Sequence, residues 1–136
     1  MLHMRKWLAV AGAVGGALAV VAGAVGAHAL QLEPGSLRAY RYDTAVNYLL
    51  LHANIVLLGH WFGPTRRGLW DLARAVMLAG MVLFSGGLLL MIITGWRVPV
   101  VPLGGMGLIA GWLMAAVAVA QSPQEGGRRA AGKEET

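Results

Sequence analysis

A chain of 136 residues has room for one domain, and 57% hydrophobic against 12% charged residues is more apolar surface than a soluble core of that size can hide. The formal charge of +5 is spread as small basic groups between the apolar runs, a pattern that speaks for lipid headgroups and against nucleic acid. Cysteine is absent, which excludes disulfides, thiolate metal sites and cysteine nucleophiles.

The first apolar run, Trp7 to Leu30, follows Arg5 and Lys6 and is long enough to cross about 30 Å of hydrocarbon at about 1.5 Å per residue. Its basic start and Ala27-His28-Ala29 imitate a cleavable signal, but the run exceeds the usual apolar core of such a signal and is expected to be retained. Gly12, Gly16, Ala19 and Gly23 lie on roughly one stripe, which suits close helix contact. A longer connection, Gln31 to Asp43, follows. Within it Pro34 is read as opening a short surface helix, with Leu37 and Tyr40 toward lipid and Arg38 and Arg41 outward.

The second run, 45–62, is the shortest and most polar, and Gly63-Pro64 closes it. Tyr48 and His52 are four apart and share a face, with Thr44 one turn earlier; Asn47 and Asn54, seven apart, define a second stripe. Polar residues at this depth are expected to face protein or a polar cavity. The plain reading is hydrogen-bonding glue; the sharper one is a pocket for a small apolar ligand such as a quinone beside Tyr48 and His52. Haem held by His28 and His52 is disfavoured, because His28 lies near the external surface and His52 about 12 Å deeper.

The third run, 72–96, carries Arg74 near one end and Gly80, Ser85, Gly86 and Gly87 as small contacts. The fourth, 98–120, is expected to be helical from Pro102, with Gly107, Gly111 and Ala115 forming another small stripe. Trp61, Trp70, Trp96, Tyr40 and Tyr42 fall near span ends, at headgroup level. From Gln121 to Thr136 the chain lacks aliphatic core formers and is expected to be a disordered tail, leaving residues 1–120 as the membrane domain.

Charge sets the expected orientation. Arg5, Lys6, Arg66, Arg67, Arg74, Arg128, Arg129 and Lys133 fall on one side of four spans, and only Arg38, Arg41 and Arg97 on the other. Lys and Arg favour the cytoplasm, so both termini are placed inside. The expectation is an all-α, multi-pass four-helix bundle of the cell inner (plasma) membrane.

No Walker loop, GxSxG or HExxH pattern occurs, no compact metal-ligand set exists, and no carboxylate lies within a hydrophobic core to relay protons. The chain is therefore expected to be non-enzymatic, without cofactor, and to act by packing against lipid, another membrane subunit or itself.

Several segments are familiar together: Gly23-Ala24-Val25-Gly26-Ala27-His28-Ala29-Leu30, Thr44-Ala45 through Tyr48 and His52, Leu83-Phe84-Ser85-Gly86-Gly87, Thr94-Gly95, Pro102-Leu103-Gly104-Gly105 and Gly111-Trp112. In this order the chain resembles the YgdD-like family of small inner-membrane proteins of unknown function, related to eukaryotic transmembrane protein 256. The resemblance covers most of Trp7 to Ala120. It implies four spans and marks His28, Tyr48, His52 and the turn at 102–105 as family features, while implying no reaction or cofactor. Leu49 and Asn54 depart from its usual pattern.

Overall fold

The computed structural model describes residues 2–64, 67–97 and 99–122. Within them the chain forms α1 (Leu2–His28), α2 (Leu37–Phe62), α3 (Arg67–Met81), a π turn (Val82–Gly86), α4 (Gly87–Thr94) and α5 (Val101–Ala120). The segment from Arg67 to Thr94 is one continuous rod, so four helices are long and apolar enough to cross a membrane. The all-helical, four-span architecture expected from hydropathy is the observed one. Most of the expected tail, from residue 123 onward, lies outside the described residues.

The boundaries differ in instructive ways. No separate surface helix follows Pro34: Gly35 turns the chain at φ +77°, Ser36 caps the next helix by accepting from Ala39 N–H at 3.1 Å, and α2 begins at Leu37. Such a cap contributes about 1 kcal/mol. Arg38, Arg41 and Asp43 read as loop because they are charged, yet they sit on the first two turns of a helix that starts at headgroup level. At the other end α3 starts at Arg67, so the α2–α3 join is shorter than Gly63 to Asp71, and Asp71 is a helical residue.

Hydrophobic drive between helices is small in lipid, so backbone proximity decides which faces meet. α1 packs chiefly on α2, and α5 on α3, while α2 and α3 join the two pairs. Gly12 lets α1 approach the α2 backbone at Ala53 and Leu57, where any side chain would collide with main-chain atoms. Gly104 plays the same part on α5, lying against the backbone of Leu83 and Phe84. Of the small residues on α1, Gly12 and Ala19 are buried while Gly16 has nothing within 4 Å of where a Cβ would be. On α5 Gly111 and Ala115 are buried and Gly107 lies against Gly80, as a contact stripe should.

Two apolar clusters fill the centre: Leu8, Val56, Ala73, Met77 and Ala115 toward the end where the chain starts, and Ala19, Leu49, Ala53, Met81 and Leu108 beyond them. Two aromatics expected at headgroup level are structural instead. Tyr42 is buried and its hydroxyl donates to Ala22 O at 2.5 Å, pinning the start of α2 to the end of α1. Trp70 donates its indole N–H to Gly59 O at 2.9 Å. Trp61, Trp96 and Tyr40 are exposed, as headgroup anchors require.

Candidate functional site

Three polar constellations interrupt the apolar bundle. The first surrounds His52, at the middle of the buried face of α2. Its Nδ1 donates to Tyr48 O, one turn earlier, at 2.8 Å, and its Nε2 accepts from the Trp112 indole N–H of α5 at 3.2 Å. An indole nitrogen only donates, so this pair fixes the tautomer with the proton on Nδ1. Tyr48 is half-exposed, and its ring lies 4.9 Å from that of Phe84 in the π turn. The expected face of Tyr48 and His52 therefore exists, with Phe84 and Trp112 completing it. Its imidazole is engaged at both nitrogens and links α2 to α5. Thr44 is turned back on its own helix, donating to Tyr40 O. His28 lies exposed at the end of α1, far along the chain axis from His52. Among the described residues no group of three or more His, Cys, Asp or Glu converges on a point where a metal ion would be held.

The second constellation was hidden in the sequence. Arg74 is 1% exposed, and it is the largest fully buried side chain. Its Nε and Nη2 donate to Val56 O at 3.0 and 2.5 Å, and its Nη1 meets Asp71 Oδ1 at 3.1 Å. Asp71, also buried, takes a second charge-assisted bond from Arg5 Nε of α1 at 2.5 Å. One turn away, Arg67 donates to His60 O at 3.0 Å and Trp70 to Gly59 O. The last turn of a helix leaves carbonyls without partners and carries the negative end of its macrodipole. Arg67 and Trp70 lie three apart on one face of α3 and cap the last turn of α2, while Arg74, four further on, reaches Val56 O one turn deeper in that helix. The clasp ties three helices at one end. Asp71 is a buried carboxylate at the end of the bundle, outside both apolar clusters, and it bridges two guanidinium groups. The signal in the sequence is the Asp71/Arg74 spacing of three across the start of the third run, where Arg74 reads only as a basic residue near one end of the span.

The third is the pair Asn47 and Asn54. They were expected to face protein or a polar cavity, and both are exposed on the side of α2 opposite His52. With exposed Leu51 and Leu58 they form one lateral stripe. Ser85, by contrast, is fully buried, and its hydroxyl has no hydrogen-bond partner among the described residues. In the π turn the ladder that would offer it a carbonyl one turn back is widened.

Comparison with known proteins agrees with this architecture. The family described as "Protein of unknown function (DUF423)" matches residues 22–105. The chain is 32% identical over 117 residues to the UPF0382 membrane protein YwdK of Bacillus subtilis, covering 83% of this chain and 95% of that one. It is 30% identical over 125 residues to the UPF0382 inner membrane protein YgdD of Escherichia coli K12, covering 89% and 95%. A Staphylococcus haemolyticus membrane protein, SH2409 of the same group, is 32% identical over 112 residues, 80% of this chain and 91% of its own. No solved structure matches. The matched region runs from the end of α1 to the start of α5 and so takes in Tyr48, His52, Asp71, Arg74 and the π turn, while Arg5 and Trp112 lie outside it. This chain is a multi-pass protein of the cell inner membrane and belongs to the DUF423 family of proteins of unknown function.

Proposed function

We propose that the protein is a non-enzymatic accessory subunit of the membrane, oriented with both termini in the cytoplasm, which presents the lateral face of α2 to a helix of another membrane protein or of a second copy. The observation that carries this reading is the exposure of Asn47 and Asn54. Counted from the middle of α2 they lie about 4 and 7 Å away, well inside a hydrocarbon layer about 30 Å thick. Each amide offers two donors and two acceptor lone pairs. Facing acyl chains, those groups lack partners, at a cost of several kcal/mol per unsatisfied group. A helix carrying polar side chains relieves that cost, and asparagine is a common source of interhelical hydrogen bonds. Spacing of seven keeps both amides on one seam, with Leu51 and Leu58 as the packing residues between and below them.

The internal polar groups support a structural role as well. His52 accepts from Trp112 of α5, Arg74 donates to Val56 O of α2, Asp71 accepts from Arg5 of α1 and Tyr42 donates to Ala22 O of α1, which holds the α2 face at a fixed rotation.

The test places a photo-crosslinking residue at Leu51 in intact cells, with a second at Leu113 on the exposed side of α5 as control. A discrete adduct at position 51, absent at 113 and lost in Asn47→Leu/Asn54→Leu at unchanged abundance, is the expected result. No adduct at 51, or one indifferent to both asparagines, overturns the reading, as does stoichiometric quinone or haem on protein purified in mild detergent.

A further inference from the structure

We propose that Arg38, Arg41 and Arg97 form a binding site for the phosphodiester headgroup of an anionic phospholipid, whose acyl chains lie in two apolar crevices flanking α4. The site is at the end of the bundle opposite the Asp71 clasp and is independent of the Asn47/Asn54 stripe.

Two adjoining crevices open there, of about 600 and 680 Å³. The first runs between the start of α2 and the end of α4, and it is lined by all three arginines. The second runs from α4 to the start of α5, and it is lined by Arg41 and Arg97 again. Met91 belongs to both, so the two crevices meet under a shared ridge of Arg41, Arg97 and Met91. Below the ridge the walls are apolar: Ile92 and Ile93 in one crevice, Leu88 and Pro102 in the other. A charged rim above two apolar channels matches the outline of a two-chain phospholipid.

The rim is electrically unbalanced. Among the described residues the ion pairs both involve Asp71, at the far end, and none of these three arginines has a carboxylate within 4.0 Å. The nearest acidic side chain in sequence, Asp43, lines a different crevice on the α1 side of α2. Arg38 donates one N–H to Ile92 O at 3.0 Å, which orients its guanidinium over the crevice and leaves four donors for a ligand. Guanidinium pairs bind phosphate oxygens through parallel, charge-assisted bonds. A zwitterionic phospholipid carries the same phosphodiester, but its ammonium group would face three like charges.

The experiment uses the full chain, delipidated in mild detergent, titrated with phosphatidylglycerol or phosphatidylcholine and read by native mass spectrometry. Retention of one phosphatidylglycerol at concentrations where phosphatidylcholine is lost is expected. Arg97→Gln lies in a loop and leaves both helices intact; it should weaken retention about tenfold, which corresponds to about 1.4 kcal/mol. Arg38→Gln/Arg41→Gln/Arg97→Gln should abolish it, while Lys6→Gln, at the other end, should not change it. Soluble glycerol phosphate separates a lipid site from a phosphate site: it should fail to displace the lipid at equal concentration. Equal retention by Arg97→Gln, equal retention of both lipids, or displacement by glycerol phosphate overturns the proposal.

Discussion

The two ends of this bundle handle arginine in opposite ways. At the clasp, Arg5 and Arg74 converge on Asp71, the carboxylate and Arg74 are both buried, and Arg74 also donates from Nε and Nη2 to Val56 O. At the far end Arg38, Arg41 and Arg97 stand exposed over crevices with no carboxylate beside them among the described residues. The first arrangement holds helices together; the second leaves charge available to something outside the chain. The same residue type is therefore structural where a carboxylate is within reach, and under the proposal above a recognition element where none is.

The contrast can be broken most forcefully at Asp71. Asp71→Ala strands two guanidinium groups, one of them fully buried, and removal of one partner from a buried ion pair costs about 3–5 kcal/mol. Reversible unfolding in detergent or bilayers should show a loss of that size, with Asp71→Glu recovering part of it. A loss below about 0.5 kcal/mol, as at an ordinary surface position, would mean that the clasp is ornamental.

A second substitution asks whether the clasp alone determines the packing. Gly104→Leu drives a side chain into the backbone of Leu83 and Phe84, toward the far end, and leaves every clasp bond in place. Overpacking of this kind costs about 1–3 kcal/mol. The same unfolding measurement should find it additive with Asp71→Ala, since the two sites share no partner.

Between the ends, His52→Leu removes the link from α2 to Trp112. Interhelical hydrogen bonds in membranes average about 0.6 kcal/mol and reach about 1.7, so a modest fall in stability is expected. Abundance, fold and crosslinking at Leu51 should be retained. Loss of a cellular phenotype at normal stability and crosslinking would instead point to a chemical role for the imidazole.

The smallest effect sharpens the comparison. Arg41→Gln, at the far end, should change unfolding by no more than about 0.5 kcal/mol while lowering phosphatidylglycerol retention. A large stability loss there would erase the distinction between the two ends.

Much of this architecture was legible before any coordinates. Hydropathy found the four spans because each must satisfy its backbone internally and cover it with apolar side chains. The same averaging hid where α2 begins, since Arg38, Arg41 and Asp43 lower the local hydropathy whether or not their backbone is helical; Gly35-Ser36, a turn followed by a cap, was the better signal. Periodicity also separated the Tyr48/His52 stripe from the Asn47/Asn54 stripe. It could not say which stripe faces inward, because that is decided by how closely Gly12 brings α1 to the back of Ala53 and Leu57. The clasp was missed for a related reason. Counting Arg5 and Arg74 as topogenic charges uses their sign and their side of the membrane, but neither reveals that Asp71 sits between them.

The π turn at Val82–Gly86 bears on how the family's lengths are to be compared. A π turn houses more residues per revolution than an α turn, so it absorbs an inserted residue without moving the ends of its span. Deleting one residue within 82–86 would restore uniform α winding while leaving Arg67–Met81 and Gly87–Thr94 close to their present rotation about the axis. Relatives with a one-residue gap here would thus keep the span length, the clasp and the side of α4 turned to its neighbours, and would offer a residue at the place of Ser85 a carbonyl one turn back.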